Sequence, residues 1–161
     1  MRGGLDRAQV KFLRDKVGRV AFLGGSIAAM DGWRVLVCEE LKRRFPTTKF
    51  DFVNAGISSL GTVPGAFRFK RDLLVRGPVD LLFVEAAVND SSNDTPTRDQ
   101  LRAMEGIVRH ARLANPAAEI ARLYFVDPEK MKDIRAGRRP EVIVNQSLVL
   151  IDLAFTQTQT S

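Results

Sequence analysis

The sequence predicts an α/β fold in three layers, with a doubly wound parallel sheet between two sets of helices. Three observations point there. Apolar runs of strand length alternate with amphipathic stretches of helix length, the pattern of repeated βαβ units. One run, Val79 to Glu85, is apolar at nearly every position, as a strand covered on both faces is. Glycine-containing loops follow the runs, at the points where such a sheet turns into its crossover helices. The 161 residues form a single expected domain, 1–161, long enough to bury a core.

Residues 1–17 hold a leading amphipathic helix, with Val10, Phe12, Leu13 and Val17 set among charges between Leu5 and Lys16. Arg19 to Leu23 is the first strand. Gly24-Gly25-Ser26 breaks it on a turn that feeds the next helix, started by Asp31-Gly32-Trp33 and closed near Arg44 by Phe45-Pro46. Lys49 to Val53 is the second strand, followed by the loop Asn54 to Thr62. A helix over about Gly65 to Val75 stops at Gly77-Pro78. Val79 to Glu85 is the third strand, and a polar loop rich in Ser, Asn, Asp and Pro follows Asp90. Thr97 to Ala114 is a long helix ended by Asn115-Pro116, and Glu119 to Val126 is the fourth strand. Pro128 to Ala136 reads as a short helix. Glu141 to about Gln146 begins another, and Leu148 to Leu153 is either a fifth strand or its continuation. Residues 154–161 are polar, with nothing to bury, and are expected to be disordered.

The net charge of +6 comes from scattered arginines, dense only at Lys42-Arg43-Arg44 and Arg138-Arg139. Nucleic-acid binding wants a basic stripe interleaved with aromatics, and none is present. Basic residues lie instead near helix C-termini, where the dipole favours them. No apolar run reaches a membrane span of ~20 residues, so no membrane partner is expected. No signal peptide opens the chain, which reads as cytoplasmic as it stands. One cysteine, Cys38, excludes an internal disulfide and reads as a small buried hydrophobe in a helix. One histidine and one cysteine without ligand spacing imply no metal, and no cofactor motif is found.

In a doubly wound sheet the active crevice lies at the carboxyl ends of the strands. Three loops converge there, and each brings a residue suited to acyl chemistry. Ser26 is a candidate nucleophile. Gly56 presents a backbone N–H with no side chain in the way, and Asn89 carries an amide donor. Each has a plainer reading too. Strand-Gly-Gly-Ser also serves to hold a phosphate, and an asparagine at a strand end often bonds its own backbone.

Gly24-Gly25-Ser26-Ile27, Asn54-Ala55-Gly56 and Val88-Asn89-Asp90 resemble three motif blocks of the SGNH (GDSL-like) hydrolases, in order and on the right loops. The neighbouring text agrees: Asp31-Gly32-Trp33-Arg34, Gly65-Ala66-Phe67-Arg68, and Phe83 to Asp90. The resemblance covers roughly residues 3 to 145 and implies a flavodoxin-like, SGNH-type fold. It implies a carboxylic-ester hydrolase with Ser26 as nucleophile. The N–H groups of Ser26 and Gly56 and the amide of Asn89 then form the oxyanion hole. Members with similar text often act on acetyl esters of carbohydrates, so a small-molecule or carbohydrate ester is the implied substrate. Similar proteins often continue upstream into a secretion signal, which would make a longer natural chain a secreted one.

Two departures stand out. Ala87 replaces a glycine that the motif commonly carries two residues before its asparagine. The Asp-x-x-His block that supplies the family's base is absent, and the resemblance fades after Asn145. His110 is the only imidazole. It lies about thirteen residues into its helix and so ~20 Å from the crevice at 1.5 Å per residue, too far for a base that must come within ~3 Å. Asp127 and Asp152 could lie at strand ends, but neither is placed to replace it. The expectation is a weak or inactive esterase, C-terminally cut or shifted in reading frame. The alternatives are a non-catalytic, ligand-binding pseudoenzyme and a flavodoxin-like phosphate-binding module.

Overall fold

The computed structural model describes residues 5–123. Four parallel strands form the sheet: β1 (Val17–Gly24), β2 (Lys49–Gly56), β3 (Leu81–Glu85) and β4 (Glu119–Leu123), in the order β2-β1-β3-β4. The helices are α1 (Asp6–Asp15), α2 (Ser26–Ala29), α3 (Trp33–Arg44), α4 (Thr62–Asp72), α5 (Ala87–Ser92) and α6 (Thr97–Ala114). This is the doubly wound α/β arrangement that the alternation predicts.

The period-two alternation of the strands builds two cores. Val20 and Phe22 of β1 and Leu81 and Phe83 of β3 face one side, under Phe12 of α1 and Trp33, Val37 and Leu41 of α3. Ala21, Leu23, Leu82 and Val84 face the other, under Phe69 of α4 and Ile107 and Ala111 of α6. β3 is buried at every position. Phe22 and Phe83 stack with centroids 5.2 Å apart, and Trp33 meets both edge-on.

Several boundaries differ from the sequence reading. β2 runs on through Asn54, Ala55 and Gly56, because these pair in register with Phe22, Leu23 and Gly24. α4 begins at Thr62 rather than Gly65. Its first N–H donates to Asp90 Oδ1 at 2.7 Å, a cap supplied from another loop. It closes at Asp72, and Leu74–Arg76 is a separate 3-10 turn. The segment after β3, read as loop from Ala87 on, begins with the short helix α5. Cys38 is half-buried beside the first core, and burial pushes its thiol up to about 11. The expected helices at 128–136 and 141–146, the 148–153 segment, the 154–161 tail and the loops of Asp127 and Asp152 lie outside the described residues.

Candidate active site

β1 is followed in sequence by β2 on one side of it, whereas β3 and β4 lie on the other. The winding therefore reverses between β1 and β3, and the crevice of such a sheet opens at that point. Ser26 lies just past the end of β1, and Asn89 just past the end of β3. Gly56 ends β2, in register with Gly24. The structure thus brings all three candidate loops to one edge.

Ser26 is the first residue of α2 and is half-buried. Gly25 N–H donates to Glu85 O at 3.2 Å, tying the turn to β3. The Ser26 carbonyl accepts from Met30 at 2.9 Å. Among the described residues its N–H and hydroxyl have no protein partner. A one-turn helix cannot satisfy its own last carbonyls, and three side chains do so instead. Trp33 Nε1 donates to Ile27 O at 2.9 Å, Arg34 Nε to Ala28 O at 3.2 Å, and Asn54 Nδ2 to Ala29 O at 3.2 Å. The segment carrying the serine is therefore held from α3 and β2.

Two glycines allow the loops to close on each other. A Cβ on Gly25 would overlap Asn89 Oδ1, and one on Gly56 would overlap the Ala28–Ala29 backbone. Asn89 Oδ1 is buried without a partner among the described residues, and Nδ2 donates to no protein acceptor among them. The amide is thus uncommitted, one side against the serine turn. Gly56 is different. Its N–H already donates to Asn54 Oδ1 at 2.9 Å, so an incoming oxygen must share or displace that bond.

α5 is fastened to the loop after β2. Asp90, 2% exposed, takes both the N–H and the hydroxyl of Thr62. Asn93 Nδ2 donates to Ser59 O at 3.0 Å. Ser59 has φ 65, the left-handed region, as the third residue of a turn closed by Leu60 N–H on Ile57 O at 3.2 Å.

Two residues missed in the sequence reading stand under this edge. Glu85 ends β3 fully buried, both carboxylate oxygens without hydrogen-bond partners among the described residues. Burial, with the nearby Asp90 charge, raises it to about 7. Arg68 of α4 is buried and donates to Ala55 O and Gly24 O. The available signal was a charge inside an apolar strand and another on an apolar helix stripe. His110 is exposed on α6, thirteen residues past its first residue Thr97, so ~20 Å along the helix axis. No cluster of potential metal ligands occurs among the described residues.

Sheet order and helix layers together define an α/β/α fold with a serine turn at its switch point. The chain belongs to the GDSL-like lipase/acylhydrolase family, whose model matches residues 22–150. Among solved structures it is similar to a two-domain esterase active on acetylated mannans, co-crystallised with mannopentaose. Identity there is 30% and the TM-score 0.64, over 75% of this chain and 34% of that one. A second structure of a two-domain esterase active on acetylated mannans gives 26% and 0.67, over 91% and 39%. A catalytic mutant of an acetylxylan esterase from Geobacillus stearothermophilus shares the fold at 15% identity and TM-score 0.58, over 88% and 73%. The chain therefore spans little more than a third of the two-domain esterase. A search of curated protein sequences finds no match.

Proposed function

We propose that the chain is a serine ester hydrolase domain in which the Ser26 hydroxyl attacks an ester carbonyl. The Ser26 N–H, the Asn89 amide and the Gly56 N–H, once Asn54 releases it, receive the oxyanion. The alcohol leaves, the acyl group stays on Ser26 Oγ, and water then hydrolyses it. Fixed donors aimed at developing charge are the largest single contribution such a site makes, about 10²–10³ in rate for each. The observation that carries the reading is the juxtaposition of uncommitted groups at the switch point. The serine N–H and hydroxyl lie on a braced turn, with the free Asn89 amide against it. The two-domain esterase similar to this chain is active on acetylated mannans, which favours acetyl esters of carbohydrates as substrate.

Turnover is slow on this reading, because His110 is exposed far along α6. Sites lacking a triad member keep about 10³–10⁴-fold over water. Hydrolysis of p-nitrophenyl acetate by the wild-type chain and by Ser26→Ala tests it. A wild-type rate at least tenfold above the variant is expected, and equal rates rule out Ser26. The Gly56–Asn54 bond and the remote imidazole favour one second reading, a domain that binds the ester without turning it over. Calorimetric binding of an acetylated mannan oligosaccharide with no release of acetate would select it.

A further inference from the structure

Arg68 occupies a place on α4 where a helix lying on a sheet ordinarily carries an apolar side chain. Gly65 and Phe69 beside it are buried, and Arg68 itself is only 6% exposed. A guanidinium stays charged there and needs acceptors. Nη1 donates to Asp72 Oδ2 at 2.8 Å. Nη2 reaches the end of the sheet and donates to Ala55 O at 2.5 Å and Gly24 O at 3.2 Å. Those carbonyls sit at the ends of neighbouring strands. One precedes the Gly25-Ser26 turn. The other belongs to the same peptide unit as the Gly56 N–H.

We propose that Arg68 is a positioning residue for the oxyanion donors. Its grip on the Gly24 and Ala55 carbonyls sets the serine turn and the Gly56 amide in one frame and strengthens that amide as a donor. The catalytic half of this proposal rests on the ester-hydrolase reading above. In a trans peptide the C=O and N–H point opposite ways, so holding the Ala55 oxygen toward Arg68 aims the Gly56 hydrogen away from it. A charged donor on the carbonyl also polarises the peptide and makes its N–H more acidic. The Asp72 pair fixes the guanidinium plane. Lysine is a point charge on a flexible stem and cannot hold both carbonyls and Asp72 in the same fixed geometry.

The test compares wild type, Arg68→Lys and Arg68→Met by amide spectra and by kinetics. In the ¹H–¹⁵N spectrum of the full chain, the Gly56 amide proton is expected to move upfield in Arg68→Met. Arg68→Lys should fall between. With p-nitrophenyl acetate, kcat is expected to fall about tenfold in Arg68→Met with KM within twofold, and Arg68→Lys to recover part of it. An unchanged Gly56 resonance in a folded Arg68→Lys or Arg68→Met chain overturns the proposal. So does a loss that appears in KM alone. Ser26→Ala, run alongside, separates the two readings. If it hydrolyses as fast as wild type, the esterase reading fails, and the amide spectrum alone decides whether Arg68 sets Gly56.

Discussion

Glu85 sits where a carboxylate is hardest to keep ionised. It is wholly inside, its oxygens have no hydrogen-bond partners among the described residues, and Asp90 adds a like charge nearby. The group therefore titrates near 7 instead of 4.5. Between those values the folded chain keeps a proton that the unfolded chain gives up, so stability falls as pH rises through the window. The full shift amounts to about 3 kcal/mol. Glu85→Gln removes the titration while keeping the shape. Its urea-unfolding free energy, relative to wild type, is expected to improve by about 2 kcal/mol between pH 5 and pH 8. A difference that does not change with pH would show that Glu85 is ionised in comfort. The positions of Ser26 and Asn89 past the ends of β1 and β3 were legible in the sequence because strand-end loops announce themselves by glycine and polar residues. Glu85 and Arg68 were not, because a charge within an apolar run gives no sign of which backbone or side chain will lie against it. Gly56 was legible as a glycine in a loop at the end of the second strand. Its present task, making room for α2 while its N–H serves Asn54, depends on contacts only the fold makes.

At the scale of elements, α2 shows how a segment too short to be a stable helix is made rigid by its neighbours. Its C-terminal carbonyls are taken by Trp33, Arg34 and Asn54. The Trp33 bond is the buried one, and the ring is also wedged against Phe22 and Phe83. Trp33→Phe keeps an aromatic there but leaves the Ile27 oxygen without its donor. Orphaning a buried acceptor costs about 1–3 kcal/mol. The variant should lose that much in urea unfolding, and the Ile27 to Ala29 amides should exchange faster than those of β3. Retained stability together with unchanged exchange would mean that Trp33 only fills space. The long α6 was readable to its ends, Thr97 and Ala114, because its apolar period is sustained over five turns. α5 and the start of α4 were not readable. α5 is built from residues that favour turns. The first N–H of α4 is capped by Asp90, 28 residues away in sequence, and no local pattern can announce such a cap.

For the molecule as a whole, the sheet order decides what the site has and what it lacks. Reversal of the winding between β1 and β3 gathers the serine turn, Gly56 and the α5 amide at one edge. The same winding sends α6 back along the opposite direction to the strands, because parallel strands need a crossover that returns. Any residue well along α6 is thereby carried away from the crevice, and the sequence's single histidine, His110, is one of them. On the ester-hydrolase reading proposed above, Ser26 and its donors therefore lie at the crevice with no imidazole of this chain beside them, and proton transfer is the step such a site does least for. A positioned base is worth about 10²–10⁴ in rate, and a small base from solution can enter an open crevice and supply part of that. Imidazole at tens of millimolar is accordingly expected to raise the p-nitrophenyl acetate rate of the wild-type chain several-fold above the free-imidazole background. Ser26→Ala should gain nothing beyond that background. His110→Ala should respond as wild type does, since an exposed side chain ~20 Å along α6 takes no part. Equal gains for wild type and Ser26→Ala would place the missing function elsewhere than in the base. A loss of rescue in His110→Ala would show that the path from α6 to the crevice is shorter than the winding of the sheet allows.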